Sequence, residues 1–220
     1  MKKYYKIIFW LIWLAFVFVG PYTIIKNSRL DLVFSSPGLT IVFFQRMTGV
    51  LAFILFFLQI VLGANMPKLK QILGDWLFEF HGIEGLFTFF LFLLHPILYL
   101  LYYRSLYHVI DPFYVFTQVC LICKKTEIIY SLGRVSFWLG GLAVVTALFR
   151  DAPGWLSKNW RKIHIINYLV FFLMAIHGWF ADSDFHLSPL KFIYWFSIIV
   201  VILTLFFECG RSHRQRKISE

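Results

Sequence analysis

Six long apolar runs, set off by short segments rich in Lys, Arg, Asn, Gly and Pro, organise the 220-residue chain. They fall at residues 7–25, 39–64, 76–103, 129–149, 160–180 and 190–207. A helix needs about 20 mostly apolar residues to cross a bilayer, and each run meets or approaches that length. Turn signals close them: Asn65-Met66-Pro67 ends the second and Ser188-Pro189 starts the sixth. The first run follows Lys2, Lys3 and Lys6, as in a secretory signal, but continues through Gly20-Pro21 with no small-residue cleavage site. It therefore reads as an uncleaved helix. The pattern predicts an all-α integral membrane protein, a bundle of six transmembrane helices.

Composition agrees. Hydrophobic residues make up 60% of the chain, charged residues 15% and aromatics 21%, and the mean hydropathy is +0.75. A soluble domain has about a quarter charged residues. Excess aromatic content suits a lipid-facing surface with interfacial belts. Disorder is excluded by the apolar content, and a disulfide scaffold by only three cysteines. No GxGxxG or GxxxxGK[ST] occurs, so no dinucleotide or P-loop module is visible. The net charge of +10 does not make a nucleic-acid face, because its residues cap helix ends, where anionic lipid attracts them. With six spans both termini share a side, which collects 13 Lys and Arg against 8 on the other. The positive-inside rule then places both termini in the cytoplasm, and the expected location is the plasma (inner) membrane. The basic tail Arg211–Lys217 reads as a lipid-facing stop, or as a dock for an acidic cytoplasmic partner.

Of the seven histidines, His108, His186 and His213 fall in loops or the tail. The other four fall in two spans: His81 and His95 in the third, His164 and His177 in the fifth. Ionisable side chains at membrane depth are costly and mark function. At about 1.5 Å per residue the pairs are roughly 21 and 20 Å apart along their helices. The two helices run in the same direction, so His81 lies level with His164, and His95 with His177. At about 100° per residue His81 and His95 return to within about 40° of one face, whereas His164 and His177 miss by about 140°. Ligation from the fifth span therefore requires a bend, a tilt or a local irregularity.

Two imidazoles at each of two levels do not form a tetrahedral zinc cluster. Neither Met nor Cys stands beside either level as a third ligand for copper. Covalent c-type haem needs CxxCH, and the one CxxC, Cys120–Cys123, is followed by Lys124. Non-covalent b-type haem, two per chain, suits the pattern, since it needs axial ligands and an apolar slot. Haem propionates call for cations at the membrane edge: Arg46 and Arg134 stand near the outer ends of the second and fourth spans, Arg161 at the inner end of the fifth. Snorkelling to head groups is the plainer reading of each. Glu84, three residues after His81, could serve that histidine or carry a proton; an acid hydrated at the inner edge is the simpler alternative. Asn167 stands in the same relation to His164. The apolar setting of Cys120 and Cys123 favours two inert, membrane-touching thiols over a short-range disulfide or thiol relay. Cys209 has no partner within reach of its predicted position.

The runs HGIEGLFTFFLFLLHPILYLLYY (81–103) and NWRKIHIINYLVFFLMAIHGWFADSDF (159–185) resemble the ferric reductase-like transmembrane domain. Members of that superfamily include ferric reductases, NADPH oxidases and the haem-binding subunit of bacterial methionine sulfoxide reductase systems. RMTGVLAFILFFLQIVLGAN (46–65) and SLGRVSFWLGGLAVVTALF (131–149) extend the likeness. It covers residues 39–207 as a five-helix haem-binding core, behind a first helix and outer loop at 1–38 and ahead of a basic tail at 208–220.

The resemblance implies His81 with His164 on an inner haem and His95 with His177 on an outer one, stacked between the third and fifth helices. It further implies an oxidoreductase, or its membrane subunit, moving electrons to an extracytoplasmic acceptor such as a ferric chelate, oxygen or a redox protein. Larger members carry an FAD/NAD(P)H domain after the last helix. The short tail here implies a separate flavoprotein with FAD or FMN, or a quinol, as donor. A quinol-linked cytochrome b anchor of a larger complex and a non-haem transporter with a His-lined cavity are the alternatives.

Overall fold

The computed structural model describes residues 2–120, 122–181 and 184–219, with side chains described over 4–120, 122–181 and 184–207. Cys209, His213 and the basic tail side chains lie outside that set. Every element among the described residues is helical. They are α1 (Lys2–Asn27), α2 (Leu30–Val33), α3 (Pro37–Leu73), α4 (Trp76–Tyr107), α5 (Pro112–Phe116), α6 (Lys125–Leu148), α7 (Trp155–His164), α8 (Asn167–Phe180), a 3-10 turn (Asp184–His186) and α9 (Leu190–Ser219). Among the described residues six segments are long and apolar enough to cross a membrane, with α7 and α8 together forming the fifth. The protein is a multi-pass membrane protein.

Local chemistry sets the ends. Ser36 caps α3, its hydroxyl accepting from the Leu39 amide at 3.4 Å, and Pro37 takes the first helical position. Gly74 closes the same helix at φ 102°, a backbone that disfavours a side chain. Asp111 caps α5 by accepting from the Tyr114 amide at 2.9 Å.

α3 is the central helix. Its apolar stretch is 67% buried, against 11–33% for the other spans. A helix buried all round reads as an unbroken apolar run, and Ala52–Leu58 is one. Phe53 stacks on Phe171 and Tyr194, at ring centroids of 5.3 and 5.6 Å, and meets Phe185 edge-on at 4.9 Å. That cluster ties α3 to α8, the 3-10 turn and α9. Inside lipid, close packing and hydrogen bonds, rather than exclusion of water, hold helices together. Gly20 on α1 illustrates the first, because a Cβ there would sit 2.6 Å from Val50 of α3. Large apolar residues such as Leu11, Phe87, Phe90, Trp138, Leu169 and Phe192 cover the outer faces.

The fifth span is not the single helix expected from 160–180. α7 starts earlier, at Trp155, carries its basic residues on one side, and has no buried residue. The chain breaks at Ile165-Ile166 before α8 begins. Across the joint the Ile166 amide donates to Ile163 at 2.9 Å and the Tyr168 amide to Ile165 at 3.1 Å. This is 3-10 spacing, which advances about 120° per residue rather than about 100°. The joint removes part of the misalignment between His164 and His177 that a continuous helix would impose.

Candidate functional site: two histidine levels

His95 of α4 and His177 of α8 face one another with ring centroids 6.5 Å apart and planes at 87°. Each ring is oriented by a backbone carbonyl. His95 Nδ1–H donates to the Gln45 carbonyl at 2.9 Å, and His177 Nδ1–H to the Ile129 carbonyl at 2.8 Å. A histidine whose Nδ1 proton is held this way presents Nε2 with a free lone pair, the arrangement typical of metal-bound imidazole. The Gln45 amide reaches His95 Nε2 at 3.3 Å.

At the other level stand His81 of α4 and His164 at the end of α7. His164 lies within electrostatic range of His81. Its Nδ1 is 3.4 Å from the Ala143 carbonyl, and the Asn167 amide lies 3.3 Å from its Nε2. Asn167 thus orders this ring across the helix joint. His81 Nδ1 is buried and has no hydrogen-bond partner among the described residues. An uncompensated buried nitrogen is costly, and a ligand or a new partner would remove the cost.

The residues opposite these rings are glycines. A Cβ on Gly49 would fall 2.7 Å from the His95 ring, one on Gly133 2.9 Å from His177, and one on Gly63 3.4 Å from His81. Gly49 and Gly63 are 14 positions apart on α3, the separation of His81 and His95 on α4. Two neighbouring helices thus carry matched two-level ladders, one of imidazoles and one of missing side chains. A flat, largely apolar group with an axial ligand requirement fits this set. Among the described residues no three His, Cys, Asp or Glu side chains converge as a metal cluster would require.

The cations named from sequence have partners within the chain. Arg46 forms a forked ion pair with Asp184, a carboxylate 138 positions away that the sequence reading did not pair with it. Asp184 is 3% exposed and Arg46 33%. Arg134 is buried on α6, donating to the carbonyls of Gln118 at 2.5 Å and Val115 at 3.3 Å, with Glu127 at 3.6 Å. Arg161 is exposed and lies over the Trp160 ring at 5.5 Å. Arg46 and Arg134 stand toward the His95/His177 end, Arg161 toward the other.

Two expectations are corrected. Glu84 is not a hydrated acid but is 4% exposed, accepting from Trp13 Nε1 at 2.8 Å and Gln59 Nε2 at 2.7 Å. These bonds join α1, α3 and α4. Cys120 and Cys123 are not separate inert thiols; they form a disulfide. Outside the spans, burial first, and then the hydrogen bond to Glu127, raises the Tyr114 phenol above its ordinary value.

The sequence model of the ferric reductase-like transmembrane component family matches residues 48–175. Neither a curated protein sequence nor a solved structure matches the chain. The matched segment contains His81, His95 and His164 together with Gly49, Gly63 and Gly133.

Proposed function

Since the chain belongs to the ferric reductase-like transmembrane family, we propose that it is an oxidoreductase subunit moving electrons across the membrane through two b-type haems, each held by two histidines. The observation that carries this reading is the facing pair His95 and His177, each with its Nδ1 proton fixed on a backbone carbonyl. His177 Nε2 is left to ligate, and His95 Nε2, which accepts from the Gln45 side-chain amide at 3.3 Å, would ligate once that amide turns aside. His81 and His164 hold the second group. Bis-imidazole iron has no open coordination position, so it supplies one-electron transfer rather than chemistry on a bound substrate.

The chain's own residues do the rest. Gly49, Gly63 and Gly133 let the His95, His81 and His177 rings lie directly against the backbones of α3 and α6. Ile129 and Gln45 fix ring tautomers through their carbonyls, and Asn167 steadies His164. Arg46 and Arg134 would offer cations for propionates at the His95/His177 level, beyond their present partners Asp184 and the Gln118 and Val115 carbonyls, and Arg161 would do so at the other. Exclusion of water by the apolar helices would tune the potentials. Electrons enter at the His81/His164 side from a separate flavoprotein or a membrane quinol. They leave at the His95/His177 side for an extracytoplasmic acceptor. Both termini are cytoplasmic.

The test is a reduced-minus-oxidised absorption spectrum of the detergent-purified protein with pyridine-haemochrome quantitation. The expected result is a b-type signal with two haems per chain. A colourless protein from haem-replete cells would overturn the reading.

A further inference from the structure

The disulfide lies in the loop between α5 and α6 and joins cysteines only three positions apart. Closing so short a ring constrains the unfolded chain less than a long-range cross-link does. The loop also has other anchors. The Cys120 amide donates to Ser131 Oγ at 2.9 Å, Arg134 holds the Gln118 and Val115 carbonyls, and Trp138 Nε1 donates to the Phe116 carbonyl at 2.8 Å. Holding the loop does not require the bond.

The two sulfurs are not equivalent. Cys120 is half-buried, pinned to α6 through Ser131. Cys123 is exposed, two positions before the first residue of α6, with Lys124 and Lys125 following it. A helix start and adjacent cations both favour a thiolate, and exposure gives a second disulfide access to it. The anchor also fixes the location. Ser131 lies on the α6 turn whose Ile129 carbonyl accepts from His177 and whose Gly133 faces the His177 ring. The pair therefore sits within about one helical turn along α6 from the contacts of His177.

We propose that Cys120–Cys123 is a thiol–disulfide exchange site at the His95/His177 end of the bundle, delivering electrons to a disulfide of a protein or small molecule. The identity of its electron source rests on the proposed transmembrane path; the exchange itself does not. Two electrons arriving singly through the bundle, with two protons from water, break the S–S bond and leave two thiols. The Cys123 thiolate then attacks the acceptor disulfide, forming a mixed disulfide and expelling one acceptor thiolate. Cys120 attacks Cys123, the intramolecular bond re-forms, and the second acceptor thiolate leaves. In net terms the acceptor gains two electrons and two protons.

The test uses full-length protein carrying Cys209→Ser, so that only the pair reports. Equilibrated with glutathione buffers and trapped with a maleimide, the pair should pass from zero to two labelled thiols within the range of glutathione ratios. With oxidised glutathione as probe, Cys120→Ser should hold one glutathione on Cys123, and Cys123→Ser should react at least about tenfold more slowly. A pair still oxidised in excess reduced glutathione, or equal reaction of both variants, would overturn the exchange site, whether or not the protein binds haem. Haem-loaded protein poised with a reduced viologen should gain two thiols per chain, and His177→Ala should gain them at least about tenfold more slowly. Equal rates there would overturn the electron source alone and leave the exchange site standing.

Discussion

At the scale of the residue, the glycines opposite the histidines test the site most directly. A valine at Gly133 would place its Cβ 2.9 Å from the His177 ring, with two methyl groups beyond it. Gly133→Val should therefore remove the haem at the His95/His177 level and spare the other, lowering pyridine haemochrome from two per chain to one while the protein still elutes as a folded species. Two haems retained would show that this wall does not border a cofactor. The four histidines could be found in sequence because imidazole in an apolar run stands out by letter alone. Their orienting partners could not. Gln45 and Ile129 act through main-chain oxygens, which every residue carries, and Asp184 meets Arg46 across 138 positions. Glu84 was visible but misplaced in depth, because its partners Trp13 and Gln59 come from two other helices. Glu84→Leu would strand both donors. Each stranded buried donor costs roughly 1–3 kcal/mol, and the low end applies because interhelical bonds in lipid average only about 0.6 kcal/mol. A measurable fall in thermal midpoint in detergent is expected, with Glu84→Gln intermediate.

At the scale of the element, spans were legible because crossing lipid needs a long apolar run whatever the fold. The break between α7 and α8 was legible only as a geometric requirement. Apolar content does not distinguish one helix from two, whereas the 13-residue histidine spacing did not fit a straight one. Asn167 is the side chain that bridges the break, its amide 3.3 Å from His164 Nε2. Asn167→Leu should loosen His164 without touching His177, shifting the midpoint potential or occupancy of one haem only; a redox titration resolving both would check this. The 3-10 turn is tied down by the Arg46–Asp184 pair. Removing one partner of a buried pair costs about 3–5 kcal/mol, but Arg46 is a third exposed, so Asp184→Ala should cost less, ~1–3 kcal/mol. The turn also carries Phe185 of the aromatic cluster, so susceptibility to proteolysis near residues 181–186 should rise with it.

At the scale of the whole molecule, sidedness matters to the proposed electron path, since it decides which histidine level would receive electrons and which would deliver them. The charge asymmetry argues for cytoplasmic termini, and the bundle offers positions where this can be read. Phe113 is 76% exposed in the connection between α4 and α6, and Trp155 is 69% exposed at the start of α7. With the native cysteines replaced, a single cysteine at 113 should react with a membrane-impermeant maleimide on intact cells, and one at 155 only after permeabilisation. The reverse pattern would invert the bundle, placing His95 and His177 inside, and would make that level the entry for electrons. It would also put the Cys120–Cys123 loop in a reducing compartment, where exchange with an extracytoplasmic disulfide has no route. One labelling experiment thus bears on the direction of electron flow and on the setting of the thiol pair together.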